Sequence, residues 1–314
     1  AYDSILFSKD GSLDNPTTRL GYAARMAYDS SNSRLFIATQ NDQTSTIYNI
    51  RVIEFHSREL VTLQDVTSSN ISFSNKYSLI TQNEKLEFLS ISLSYAASVL
   101  YVASGSNLYS LTHVDGYSNK TFSKYQYTLL SDFMTYYSWV VDDIILTGVE
   151  AVPSKDCLYV TVSFGANVLL MVPLKPTVYW DIKVIAGDVT SLWSDGTYPI
   201  PVSKNGYTGL DPSGALLSFP SDLTYDSVSD ALYFTEGYEN GLYLGSRSLR
   251  KYSFLSQNVS TYAGVDHTLD SNYSQSGGTL HSVHLVNGIA DNADFGFPVG
   301  VVYAWSSHGP VLIL

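Results

Sequence analysis

The sequence predicts an all-β fold, a β-propeller of four-stranded antiparallel blades. Three observations predict it. Short runs of Val, Ile, Leu, Tyr and Thr alternate with Ser, Asn, Asp and Gly, and no long segment carries the 3.6-residue apolar period of an amphipathic helix. One turn-and-strand frame recurs five times along the chain. Each of the first four recurrences has room for four short strands, the content of a propeller blade, whereas a β-sandwich would not repeat a single frame in this way.

The frame is read in order. Tyr28-Asp29-Ser30 leads through polar residues to Leu35-Phe36-Ile37, and Leu93-Ser94-Tyr95 leads to Leu100-Tyr101-Val102. Ala151-Val152-Pro153 leads to Leu158-Tyr159-Val160, and Tyr225-Asp226-Ser227 to Leu232-Tyr233-Phe234. A fifth copy runs from Tyr303 to Val311-Leu312-Ile313 with one extra residue. The spacing is irregular, as insertions in surface loops make it. Third strands are expected at 46–55, 107–112, 167–174 and 242–255, and fourth strands at 59–66, 124–130, 180–186 and 260–264. The units fall at about 23–66, 86–130, 139–187, 215–264 and 293–314, in one domain over 1–314, and five or six blades close the ring.

Composition narrows the functions. Charged residues are 15% of the chain and the net charge is −12, which argues against a nucleic-acid backbone or an anionic membrane surface as partner. No apolar run reaches the roughly 18 residues of a membrane span. The one cysteine, Cys157, cannot form an internal disulfide and reads as a small buried strand residue. Hydroxyl-rich, charge-poor composition, a first residue other than Met and four Asn-x-Ser/Thr acceptors (Asn70, Asn119, Asn258 and Asn272) together point to a secreted, extracellular or cell-surface glycoprotein.

Two later units carry a sharper motif. Ala186-Gly187 and Ala263-Gly264 each end a fourth strand. A Gly-rich loop follows, then Ala215-x3-Phe219-Pro220-x4-Tyr225 and Ala293-x3-Phe297-Pro298-x4-Tyr303, 78 residues apart. Over residues 182–314 this resembles the NHL-repeat family of β-propellers; units one to three share only the general frame, and the inserts at 190–214 and 265–292 are longer than compact NHL blades hold. The physical reading is that Pro presets the extended inner strand and the Phe packs between blades.

The last unit reaches only a second strand, at Val311, Leu312, Ile313 and Leu314. An apolar edge left there needs a partner strand. The segment Ser4-Ile5-Leu6-Phe7-Ser8 has no blade of its own, so Ile5, Leu6 and Phe7 are expected to complete the last blade, in the same molecule or in a neighbour. A chain continuing past residue 314 would be a third way to complete it.

Candidate chemistry is sparse. His281 and His284, with His267 earlier, are the weak metal candidates; some NHL-fold enzymes, among them the peptide-amidating lyases, use His-bound metal, but with ligands drawn from several blades. Asp291, Asn292 and Asp294 lack the alternating ligands of a calcium loop. Asp142 and Asp143 are adjacent on an expected strand and face opposite ways. Trp193 to Thr197 is one imperfect Asp-box-like turn, and no nucleophile elbow, P-loop or dinucleotide fingerprint is present. Tyr125, Tyr127 and the run Tyr136-Tyr137-Ser138-Trp139 offer an aromatic surface for partners or sugars, or serve as packing.

The sequence therefore points to a non-enzymatic extracellular propeller, a protein-interaction module or a structural subunit that self-assembles into a filament by exchanging terminal strands. No cofactor is expected. The expected partners are proteins, copies of itself foremost, with glycans as a second class. The alternative is a metal-dependent hydrolase or lyase with its site in the central channel.

Overall fold

The hairpin that opens each of the first four units is encoded by its polar turn. Asp29 Oδ1 accepts hydrogen bonds from the Ser31 and Asn32 N–H groups at 3.0 and 3.2 Å, and Asp226 Oδ1 accepts from Val228 N–H at 2.8 Å. This is the local turn that Asp favours. The residue just before the second strand is left-handed in four units: Ser33 (φ 51°), Ser98 (φ 64°), Asp156 (φ 54°) and Asp230 (φ 46°). Ser and Asp reach that region at lower cost than bulky residues. Burial opposes ionisation of Asp29, but hydrogen bonds from Arg34 and Asn32 outweigh it and hold the carboxyl below its usual range.

In this computed structural model the described residues are 11–15, 18, 22–40, 48–65, 91–96, 98–112, 121–124, 127–137, 144–163, 166–188, 206–208, 211–236, 247–265, 300–306 and 309–313. The first sheet has the order β1-β5-β4-β3-β2, from β1 (Gly11–Ser12), β2 (Tyr22–Asp29), β3 (Arg34–Gln40), β4 (Tyr48–Glu54) and β5 (Glu59–Asp65). The second is β6 (Ile91–Ala96), β7 (Val99–Ser104), β8 (Asn107–Thr112) and β9 (Thr121–Lys124) in chain order. The third is β10 (Ile145–Val152), β11 (Cys157–Ser163), β12 (Asn167–Pro173) and β13 (Lys183–Asp188). The fourth has the order β14-β18-β17-β16-β15, from β14 (Gly206–Tyr207), β15 (Pro220–Asp226), β16 (Ala231–Glu236), β17 (Arg247–Ser253) and β18 (Asn258–Val265). Among the described residues the fifth pairs β19 (Val302–Ser306) with β20 (Gly309–Ile313).

These sheets form a propeller. First strands contact one another in sequence, β2 with β6, β6 with β10, β10 with β15 and β15 with β19. Apolar cores fill the gaps between successive sheets: Phe36 and Ile50 with Leu93 and Tyr109, then Tyr101 and Leu108 with Leu158 and Val160, then Tyr159 and Leu169 with Leu232 and Phe234, then Tyr233 and Leu249 with Val301. Cys157 is buried in the third of these, and burial first of all pushes its thiol pKa up. β-Bulges fall at matching places in the third and fourth strands of three sheets, at Ile50/Arg51, Leu169/Leu170 and Leu249/Arg250.

Two expectations need correction. The fourth strand of the second unit is β9, not 124–130; the chain then enters a helix, α1 (Tyr127–Tyr136). Leu130, Phe133 and Met134 sit at helical spacing and are buried in the core between the second and third sheets, so tertiary packing selects helix over the strand propensity of the tyrosines. The fourth strand of the third unit begins at Lys183; Tyr179–Asp181 is a 3-10 turn.

In the fourth unit the repeated motif has a clear physical role. Ala186, Ala215 and Phe219 are buried, and Gly187 N–H donates to the Ala215 carbonyl at 3.1 Å. Gly187 (φ 101°) and Gly264 (φ 97°) occupy matching positions, and a Cβ on Gly187 would lie 2.1 Å from the Asn167 carbonyl oxygen. Phe219 is itself left-handed (φ 49°), and its N–H donates to Asn167 Oδ1 at 3.0 Å, which delivers Pro220 to the start of β15. The second copy, Ala293 to Pro298, lies outside the described residues.

Candidate functional site

Side chains at one repeated position join neighbouring first strands. Ala151 N–H of the third sheet donates to Ser94 Oγ of the second at 2.9 Å. Tyr225 N–H of the fourth donates to Glu150 Oε1 of the third at 3.4 Å, and Tyr303 N–H of the fifth donates to Thr224 Oγ1 of the fourth at 3.2 Å. The matching position in the first sheet is Ala27. Ser94 Oγ also donates to Glu150 Oε2 at 3.2 Å. Burial is the main influence on Glu150; the two hydrogen bonds oppose it and nearby Asp222 adds to it, so the carboxyl is pushed up to about 8 and is protonated at neutral pH. Arg25 of the first sheet approaches Asp222 of the fourth, Nε to Oδ2 at 3.9 Å, and Val301 N–H donates to the same oxygen at 3.4 Å.

A second polar group is fully buried. Glu236 and Arg250 pair within the fourth sheet, Nη1 to Oε2 at 2.7 Å, with both side chains at 0% exposure. Ser248 Oγ donates to Oε2 at 3.3 Å and Ser218 N–H to Oε1 at 3.0 Å. Arg51 occupies the corresponding place in the first sheet, also fully buried after a matching bulge. These are structural joints: every contact named is internal to the protein.

The faces beside the gap between the first and fifth sheets are different. On β2, Met26 and Tyr28 are 57% and 56% exposed, while Ala27 between them packs toward the second sheet. Phe55, 48% exposed, lies edge-on to Tyr28 at 6.5 Å. On the fifth sheet Val302, Val311 and Ile313 are 52%, 38% and 56% exposed, with Val302 and Ile313 directly paired across the strands. Leu312, pointing the other way, packs on the core shared with the fourth sheet. Among the described residues, two apolar sheet faces are thus exposed, one on the first sheet and one on the fifth, on either side of the gap between them.

A third feature is aromatic. Tyr136 at the end of α1 and Trp180 in the 3-10 turn are 66% and 64% exposed. They are bridged by Tyr179, whose ring centroid is 5.7 Å from Tyr136 and 5.0 Å from Trp180. Tyr137 packs edge-on to Tyr136 at 5.1 Å and against buried Phe133 at 5.0 Å.

The residues expected from sequence divide unevenly. Val311, Leu312 and Ile313 lie on β20 as an edge of the fifth sheet; Ile5, Leu6, Phe7 and Leu314 lie outside the described residues. So do His267, His281 and His284, the acidic groups at 142–143 and 291–294, the turn at 193–197, and Asn70, Asn119 and Asn272. Asn258 opens β18 and is half-buried. Among the described residues no three His, Cys, Asp or Glu side chains gather to hold a metal ion, and no helix is long and apolar enough to cross a membrane. Sequence reading missed Glu150 and the Glu236–Arg250 pair. Glu150 carried a signal, a charged residue inside the otherwise apolar β10; Glu236 ends β16 and Arg250 lies in the polar β17, so no such signal marks the pair. Of the aromatic run it found the Tyr136–Tyr137 half, whereas Tyr179 and Trp180 join it only through the fold.

No protein-family model matches the chain, and no curated protein matches it. Among solved structures it is similar to a structural-genomics protein of unknown function from Bacteroides thetaiotaomicron, at 13% identity and TM-score 0.41, over 94% of this chain and 66% of that one. It is also similar to a chain of a nidogen/laminin complex, at 11% identity and TM-score 0.44, over 78% of this chain and 65% of that one. A third is an auxiliary nutrient binding protein from Bacteroides thetaiotaomicron, at 15% identity and TM-score 0.40, over 94% and 67%. The chain therefore spans about two thirds of the length of these solved chains. The propeller assignment rests on the sheet order and strand contacts of the chain itself.

Proposed function

We propose that this chain is a non-enzymatic, extracellular or cell-surface binding module, a single propeller domain over 1–314 with NHL-type repeats in its last two units. Its partner is a protein, first of all another copy of itself, which lends a strand to the fifth sheet and builds a filament. The observation that supports this is the pair of exposed apolar faces flanking the gap between the first and fifth sheets, next to a sheet with two strands among the described residues. Main-chain hydrogen bonds along β20 supply affinity, and the alternation of Val311 and Ile313 on one face with Leu312 on the other sets register. Strand addition at an exposed edge is disfavoured by charge, so lysine is the natural probe.

The test is the double variant Val311→Lys, Ile313→Lys. Both side chains are exposed, so far-UV circular dichroism and thermal unfolding are expected to match the parent. Sedimentation velocity is expected to show self-association weakened by roughly tenfold or more, since each factor of ten needs only about 1.4 kcal/mol at the interface. Association unchanged in a folded double variant overturns the strand model.

A further inference from the structure

We infer that the aromatic ladder Tyr136–Tyr179–Trp180 is a binding platform for a neutral saccharide chain. The ladder lies on the second and third sheets, away from the gap between the first and fifth, and the inference stands whether or not strands are exchanged there. Three features assign the ligand class.

The first is rigidity. Tyr136 rests edge-on against Tyr137, Tyr137 against buried Phe133, and Trp180 edge-on against Tyr179. The two most exposed rings are held by their neighbours, so little freedom remains to be lost on binding.

The second is the chemistry of the exposed groups. Around α1 and the 3-10 turn, the large exposed apolar residues among those described are Tyr136 and Trp180, with no aliphatic companion. Each combines a π face of negative potential with a polar tip, the Tyr hydroxyl or the indole N–H. An aliphatic protein surface would cover those tips without replacing their hydrogen bonds to water, which is costly. A pyranose offers both halves of the match: a face of C–H bonds for the ring and hydroxyls for the tips.

The third is the acceptor set and its charge. Asp181, directly after Trp180, is half-buried in the turn. Its Oδ2 accepts from Thr177 N–H at 2.9 Å, Thr177 Oγ1 at 3.1 Å and Val178 N–H at 3.2 Å. Those hydrogen bonds, the Thr177 N–H first, hold the carboxyl below its usual range, so it is a fixed anionic acceptor. Asp132 lies one helical turn before Tyr136 and is exposed. Lys183, two residues after Asp181, offsets its charge, so the charges beside the rings are mixed and favour neither an anionic nor a cationic chain; the carboxylates accept from sugar hydroxyls, which selects a neutral glycan.

The experiment is affinity electrophoresis of the full chain in gels containing xylan, laminarin, galactomannan or hydroxyethyl cellulose, followed by titration of tryptophan fluorescence with the oligosaccharide of whichever polymer retards it. At least one polymer is expected to retard the protein. Trp180→Ala and Tyr136→Ala are each expected to weaken binding about tenfold or more, in line with about 1.4 kcal/mol per decade, with Trp180→Phe retaining most of it. Both positions are exposed, so circular dichroism should report an unchanged fold. Three results overturn the inference: no retardation by any of the four polymers, retardation that survives both alanine variants, or a fluorescence response to tetramethylammonium in place of sugar, which would make the ladder a cation site.

Discussion

Glu236→Ala is expected to lower stability by about 3–5 kcal/mol, because it removes the carboxylate that pairs with the Arg250 guanidinium in a fully buried site. In a protein of this size that corresponds to a fall in Tm of roughly 5–8 °C, read by differential scanning calorimetry. Ser248 Oγ and Ser218 N–H lose their acceptor at the same time, which adds to the cost. The matched control is Asp14→Ala. Asp14 pairs with Arg58 at the same 2.6–2.7 Å range, but both side chains are mostly exposed, so Tm is expected to stay unchanged. The double change Glu236→Met, Arg250→Met should recover much of the loss, since removing both charges also removes their desolvation cost. Equal Tm values for Glu236→Ala and Asp14→Ala would mean the buried pair is not a joint of the fourth sheet.

Glu150 is expected to make the ring less stable as pH rises. Its folded-state pKa of about 8 lies above the ordinary carboxyl value of 4.5, so the folded protein holds a proton that the unfolded chain releases. Stability from this group is greatest below about pH 4.5, falls between 4.5 and 8, and is level above 8. Each tenfold change in proton affinity is worth about 1.36 kcal/mol; because the residue is half-buried and its charge is partly screened by solvent, about 2–4 kcal/mol across the window is the reasonable scale. The groups facing Glu150 are the Ser94 hydroxyl, the Tyr225 N–H and the Asp222 carboxylate, with Arg25 beyond Asp222. Glu150→Gln keeps an acceptor for Tyr225 N–H and cannot ionise. Urea unfolding of parent and variant at pH 5 and pH 8.5 is expected to show Gln the more stable at pH 8.5 and the difference nearly gone at pH 5. A difference that does not depend on pH would place the carboxylate in water rather than between blades.

The propeller was legible because its frame is local. The polar turn before each second strand, with Asp29 or Asp226 capping it and one left-handed residue closing it, is written in adjacent residues. So is the apolar, β-branched run of a second strand such as Cys157–Ser163, buried along its whole length. Helix α1 was not legible, because its ten residues are rich in Tyr and Thr, which favour strands, and its stripe of Leu130, Phe133 and Met134 is only a little over one turn long. The inter-blade joints were not legible for a different reason. Ser94, Glu150 and Thr224 are three residue types at one position, and their common role appears only when the N–H of the next first strand is seen to meet each of them. The aromatic ladder joins residues more than 40 apart in sequence, Tyr136 and Tyr179, through the packing of α1 on the 3-10 turn.

Filling of the gap between the first and fifth sheets by another copy of the chain is measured most directly by size-exclusion chromatography with light scattering. A dilution series from about 100 to 1 μM is the right range, because a shared strand makes mass depend on concentration. The expected result is masses at multiples of 34.6 kDa that fall toward one multiple on dilution. A single species of 34.6 kDa at every concentration would contradict it and show a ring closed within one molecule.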